Sequence, residues 1–441
     1  MTETTATTGT AAPSQLTPAE RQAVRKNLIG IGMGNLLEWF DWNVYTTFAV
    51  YLAAQAFSKE DPTSAFLQTL ATFAVGFIAR PFGGFLFGWI GDRRGRKFSL
   101  TLAILFASFG SLLIAALPSF TDVGVFASLT LVVARIIQGL AHGGELPSSQ
   151  VFLSEVAPDR HRGLWSSWIY VSGTAGVLLG VIFGAILNMA LTPEQLDSFG
   201  WRIPFVVGAL AGLYTLYLRR NMKETDNFTE AQEAGLIREN IFLQLFRHGG
   251  AALKVIGLTV GITVAYYVWA ISAPTYANKV LGMDRGETLW AGIIGNIVLI
   301  AALPIWGIIA DRWGRKPVMM LSAFSTAALT LPLNAIEFEN CVSLTLGISG
   351  MSMLLAGALS IMPALFAELF PAEVRTAGVG LPYSIAVALF GGTAPMLQAW
   401  SADLAFDFFP YYVVGLLILT GCTVFLTRET KGIVLDEAHK L

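Results

Sequence analysis

The chain has 441 residues, 54% of them apolar and 13% charged, against about 25% charge in an average soluble domain. This composition excludes a soluble protein, and a net charge of -2 leaves no basic surface for nucleic acid. Cys341 and Cys422 both fall in apolar stretches, which excludes a disulfide framework and a multi-cysteine metal site.

A bilayer core about 30 Å thick takes about 20 apolar residues per helix. Twelve windows of that kind follow one another: 27–52, 66–90, 98–117, 123–147, 164–190, 201–218, 255–278, 288–310, 317–336, 342–366, 376–399 and 408–427. Residues 1–20 are rich in Thr and Ala, hold no apolar run and precede a full-length span, unlike a cleaved signal peptide. The interval 219–254, with Lys223, Glu224, Asp226, Glu230, Glu233, Arg238 and Glu239, divides the spans six and six. The predicted fold is therefore all-α, with twelve transmembrane helices in two six-helix bundles. The layout is a tail over 1–26, a bundle over 27–218, a central loop over 219–254, a second bundle over 255–427 and a tail over 428–441.

Lys and Arg are retained in cytoplasmic loops. With the N-terminus inside, inner segments hold 22 of these cations, the outer segments hold Lys59, Arg202, Lys279 and Arg285, and Arg80 and Arg135 lie within spans. Both termini and the central loop are predicted to be cytoplasmic, in a bacterial inner membrane.

An internal repeat supports two halves. Gly88, Asp92, Arg93, Gly95, Arg96 and Lys97 recur 219 residues later as Gly307, Asp311, Arg312, Gly314, Arg315 and Lys316. Glu155, Pro158 and Arg162 recur 213 residues later as Glu368, Pro371 and Arg375. Repeated halves in a membrane protein point to a transporter, in which a site between two bundles opens to either side as they rock.

The loop motif resembles the signature of the major facilitator superfamily. Gly34, Asn35, Glu38, Trp39, Phe40, Asp41 and Tyr45 in span 1 are similar to the metabolite:proton symporter family, as are Arg80, Pro81, Gly83 and Gly84 in span 2 and Arg135, Gln138, Gly139, Gly143, Gly144 and Glu145 in span 4. The segments Gly200–Phe205 and Glu368–Arg375 add to the likeness. That family includes α-ketoglutarate, citrate, shikimate and proline/betaine permeases, and the likeness is strongest to the α-ketoglutarate type. Asn43, Thr46 and His142 depart from the family pattern near the expected cavity, so they bear on the substrate first.

A charge at the bilayer centre costs at least about 2.5–3.5 kcal/mol, so charges found there face a cavity and a partner. Glu38 and Asp41 share one face of span 1, with Tyr45 a turn further along. Arg135, Gln138, His142 and Glu145 form a polar stripe on span 4. Arg80 or Arg135 is the candidate for a substrate carboxylate, because a guanidinium fork donates two parallel hydrogen bonds and stays charged. Tyr45, Gln138 and Asn43 complete the candidate substrate contacts. Asp41, Glu38 and Glu145 are the candidates for the coupled proton. The structural alternatives are a permanent pair between Arg135 and Asp41 or Glu38, a packing role for Arg80 beside Pro81, and a solvated or helix-locking Glu145. The aromatic cluster Trp39, Phe40, Trp42 and Tyr45 suggests a cage for a quaternary ammonium, but its members spread around the helix, which favours packing.

The resemblance implies that the two loops, Gly88, Asp92, Arg93, Gly95, Arg96 and their counterparts Asp311, Arg312, Gly314 and Arg315, hold the bundles together in one state and release them in another. Retaining the loops inside would need only their cations. No second His or Cys stands beside His142 at metal-ligand spacing and no Walker-type sequence occurs, so neither metal nor cofactor is expected. An enzyme lacks a nucleophile and base at workable spacing, and a receptor lacks a soluble domain. The reading is a proton-coupled symporter importing a small organic acid such as a di- or tricarboxylate. The alternative is an osmolyte permease for proline or betaine, disfavoured by a short tail without heptads.

Overall fold

The computed structural model describes residues 18–58, 62–220, 222–233, 245–279, 281–335, 338, 340–402, 404 and 406–435. Most of the expected N-terminal tail, the middle of the central loop (234–244), Lys59 and the last six residues lie outside the described residues.

Among the described residues, twelve long helices carry the fold. In the first half they are α1 Pro18–Thr47, α2 Pro62–Arg94, α3 Arg96–Ala115, α4 Val125–Val156, α5 Arg162–Ala190 and α6 Ile203–Arg220. In the second, α7 begins as Gly249–Tyr266, passes through a π-helical stretch Tyr267–Ser272 and continues as Ala273–Lys279. It is followed by α8 Arg285–Trp313, α9 Arg315–Ala335 and α10 Cys341–Ala367. Then α11 runs over Arg375–Ala386, a π-helical stretch Val387–Gly391 and Ala394–Ala402, and α12 is Phe409–Leu426. Eleven of the twelve are long and apolar enough to cross a bilayer. The twelfth, α1, has its hydropathy lowered by Asn35, Glu38, Asp41 and Asn43, and it packs against α5 and α6.

The helices are apolar outside and keep their polar residues within, as hydrocarbon solvent requires. Phe82, Phe126, Leu253, Ile305, Leu346 and Phe425 are exposed, whereas Ser148, Ser149, Gln150, Ser154 and Glu155 are buried. That inversion explains the largest difference from the predicted spans. Window 123–147 stops where hydropathy falls, yet α4 runs through Pro147 to Val156, because its polar last turns face protein.

Local chemistry sets the helix starts. Asp284 accepts from the N–H groups of Gly286 and Glu287 at 2.8 and 3.1 Å and so caps α8. Asn340 and Ser343 form a capping box on α10. Within the first half, α2 and α4 approach closely because Gly83 lies on the Leu140 backbone and Gly143 on that of Arg80. Between the halves, α2 packs on α11 and α5 on α8, the two sides of one seam.

Candidate functional site

Midway along the seam lies a narrow cavity with about 10 Å³ of free volume, room for about one water. Trp39, Arg80, His142 and Tyr170 line it from the first half, and Thr263, Tyr266, Tyr267, Leu359, Tyr383 and Val387 from the second. Among the described residues, two polar contacts cross it. Arg80 donates to the Tyr267 hydroxyl at 3.4 Å, and the hydroxyls of Tyr170 and Tyr383 stand 3.4 Å apart. The π-helical stretch that begins at Tyr267 adds a residue to the local turn, so Tyr266 and Tyr267, adjacent in sequence, both line the cavity.

Behind this wall the first half holds a layered polar cluster. The guanidinium carbons of Arg80 and Arg135 each lie 4.1 Å from the Trp42 ring centroid. Arg80 also lies 4.0 Å from Phe77, and Arg135 4.1 Å from Tyr45. Trp42 thus stabilises two desolvated cations through its π face. Arg135 donates to Gln138 at 2.8 Å, Gln138 donates to Ser111 at 2.9 Å, and the Ser111 hydroxyl donates to Asp41. A chain of hydrogen bonds therefore joins span-4 cation to span-1 carboxylate through a residue of α3. Gly208 of α6 has no Cβ to collide with the Asp41 carboxylate.

Glu38 lies 3.3 Å from Nδ1 of His142, close but out of line for a hydrogen bond, and the rings of Trp39 and Trp42 contact His142 at 5.5 and 5.4 Å. Glu145 lies one layer deeper. Both its oxygens engage Arg219, which also donates to the carbonyls of Gly30 and Leu100, and both side chains are fully buried. Of the alternatives open for Glu145, the solvated charge does not match this geometry: the carboxylate ends in a bidentate pair with Arg219, a residue counted in the sequence as a loop cation. Asn43 packs on Gly180 of α5 and Tyr45 donates to the Thr69 carbonyl at 3.1 Å, so neither lines the cavity. Trp39 does line it, while Phe40 packs on Phe183.

At one end of the seam the repeated loops cross between halves. Asp92 accepts from the N–H groups of Thr376 and Ala377 at 3.0 and 2.8 Å, the first turn of α11, and Asp311 accepts from those of Gly163 and Leu164 at 2.8 and 2.9 Å, the first turn of α5. Each carboxylate satisfies orphan donors and meets the positive end of a helix dipole. Gly88 lies against the Ala377 backbone and Gly307 against that of Gly163, where a Cβ would push the halves apart. Arg96 pairs with Asp92 at 3.5 Å and Arg315 with Asp311 at 2.8 Å. Around them, Glu155 takes Arg96 and Arg375 at 3.2 and 2.7 Å, and Glu368 takes Arg162 at 2.8 Å and Arg315 at 3.6 Å. Gly95 and Gly314 adopt φ of 100° and 114°, a region open to glycine, to turn the chain into α3 and α9. Arg93 stacks over Trp89 at 5.4 Å, and the Arg312 carbonyl accepts from Lys431.

Two residues of this network escaped the sequence reading. Glu224 caps α3 through the N–H groups of Arg96 and Lys97 at 3.0 and 3.1 Å, and Glu429 caps α9 through those of Arg315 and Lys316 at 2.8 and 3.0 Å. The signal was a basic-Glu-Thr triplet after each half, Lys223 to Thr225 and Arg428 to Thr430.

A family model described as sugar (and other) transporter matches residues 27–235, and one described as Major Facilitator Superfamily matches 255–440. The α-ketoglutarate permease of Escherichia coli (strain K12) is 34% identical over 96% of this chain and 98% of its own length. A putative proline/betaine transporter of Staphylococcus aureus (strain COL) is 32% identical over 94% and 90%. Among solved structures, a proton:xylose symporter bound to 6-bromo-6-deoxy-D-glucose superposes with a TM-score of 0.79 at 20% identity, over 96% of this chain and 99% of that one. The chain is a multi-pass membrane protein of the major facilitator superfamily and belongs to its metabolite:proton symporter family.

Proposed function

We propose that the protein imports a small organic acid together with protons by alternating access, from the outside of a bacterial inner membrane to the cytoplasm. The observation that carries this reading is Arg80, a guanidinium lining a cavity shared by both halves and joined through Trp42 to Arg135 and, beyond it, to Asp41. Arg80 meets the substrate carboxylate. Asp41 takes the proton, with Glu38 beside His142 the next candidate.

The cavity as it stands has room for about one water, so a metabolite enters only as the bundles, proposed as 27–218 and 255–427, part. The Asp92 and Asp311 contacts close the face proposed to be cytoplasmic, and their release opens it. The aromatic wall of Trp39, Tyr170, Tyr266, Tyr267 and Tyr383 supports a second reading, a betaine or proline permease with the ammonium against π faces.

Purified protein in vesicles, given an inward proton gradient and labelled organic acids or betaine, tests both. Accumulation of an acid that a protonophore abolishes supports the first reading; accumulation of betaine alone replaces it with the second.

A further inference from the structure

The cavity presents a substrate with one permanent charge and several hydroxyls. Among the described residues lining it, Arg80 is the one whose side chain is charged at every physiological pH. Its guanidinium is clamped over Trp42 and Phe77 and bonded to Tyr267, so the fork is oriented before a carboxylate arrives. The second guanidinium of the membrane interior, Arg135, is one layer back, over Trp42 and Tyr45 and bonded to Gln138. A dicarboxylate seated on Arg80 would leave its second carboxylate among aromatic rings, an unpaired buried charge.

The rest of the wall is suited to something else. Tyr170 and Tyr266 contact at 6.3 Å and 73°, Tyr266 and Tyr267 at 6.0 Å and 84°, and Trp39 and Tyr266 at 6.1 Å and 87°. Edge-to-face walls of this kind receive another flat ring in the same manner. Tyr170 and Tyr383 bring a hydroxyl from each half to within 3.4 Å of each other; each hydroxyl both donates and accepts.

Resting on the organic-acid reading, we infer that the substrate is a monocarboxylate on a flat, hydroxyl-bearing ring. Its carboxylate is held by Arg80 and its hydroxyls by Tyr170 and Tyr383. Bound in this way it touches both bundles, exchanging the direct Tyr170–Tyr383 contact for one through the ligand.

The test uses the full chain in vesicles, with binding read by thermal shift and by competition. The probes are 3,4-dihydroxybenzoate, benzoate, succinate, citrate and glycine betaine. The dihydroxy acid is expected to bind about tenfold or more tighter than benzoate, since loss of its hydroxyls leaves buried tyrosine hydroxyls unpaired, and tighter still than the other three. Tyr383→Phe should shrink the tenfold ratio toward one while leaving benzoate affinity within about twofold, and Arg80→Gln should abolish binding of both. Tightest binding by succinate or citrate overturns the single-charge class and leaves the organic-acid reading intact. Tightest binding by betaine, or a folded protein that binds no carboxylate of the panel, overturns both. An unchanged ratio in Tyr383→Phe overturns the hydroxyl contact.

Discussion

Asp92 reaches from one half of the molecule to the other, its carboxylate accepting a 2.8 Å hydrogen bond from the backbone N–H of Ala377. The bond holds the end of α2 against the beginning of α11, where Gly88 lets the two backbones touch. Its partner across the pseudo-symmetric seam is the bond from Gly163 to Asp311, also 2.8 Å.

Asp92→Asn keeps an acceptor oxygen and loses the charge that faces the helix dipole. The variant should insert and bind substrate within about twofold of wild type while turnover falls about tenfold. Equilibrium binding and exchange rates measured on one preparation check this. Normal turnover would reduce the loop to a topological anchor.

Asp41→Asn removes the titrating group at the end of the chain from Arg135 through Gln138 and Ser111. Proton-driven accumulation should disappear, substrate exchange should persist, and external acidification should no longer stimulate uptake. If the mutant accumulates substrate and a protonophore still abolishes it, coupling resides elsewhere, with Glu38 the first candidate and Glu145 the second.

Glu145→Gln tests a pairing rather than a coupling role. It leaves Arg219 as a fully buried cation without its counter-charge, a loss of about 3–5 kcal/mol, so the melting temperature in detergent should fall by several degrees. Adding Arg219→Met should recover much of it, because removing both charges relieves the unpaired one. Wild-type stability in Glu145→Gln with loss of pH stimulation would instead mark Glu145 as a proton carrier.

Topology rests on the 22 inner and four outer cations. Reporters fused at Thr10 and after Leu441 should both register as cytoplasmic. A periplasmic signal from one end alone would contradict an even number of spans, and from both ends would invert the orientation.

Hydropathy made the twelve helices readable, because lipid demands a continuous apolar exterior over a known length. It failed where polar residues face protein: Ser148 to Glu155 are helical and buried, yet no local rule distinguishes them from a loop. Arg80 and Arg135 stood out as charges within apolar windows. Their shared neighbour Trp42 did not, since positions 42, 80 and 135 meet only through packing of α1, α2 and α4. Arg219 reads as a loop cation because its span ends there, and its carboxylate partner is 74 residues away. Tyr170 and Tyr383 carried no sequence signal beyond their depth in the spans, and their pairing arises from the seam itself.

The crossed arrangement of Asp92 and Asp311, flanked by the Glu155–Arg375 and Arg162–Glu368 pairs that also join the halves, makes the closed face a multi-point fastening. When one carboxylate lets go, the other keeps its partner nearby at high effective concentration, so the lost bond re-forms quickly. In the proposed gate the face therefore tolerates isolated breakages and opens only when its points part within the same interval. Removing one aspartate leaves the other crossing and the two ion pairs in place, and removing both aspartates should cost far more than twice as much. Under the proposed alternating access, the repeat in the sequence thus supplies a threshold in the motion: a weak or partial stimulus leaves the face shut, and one that strains the crossings together releases it.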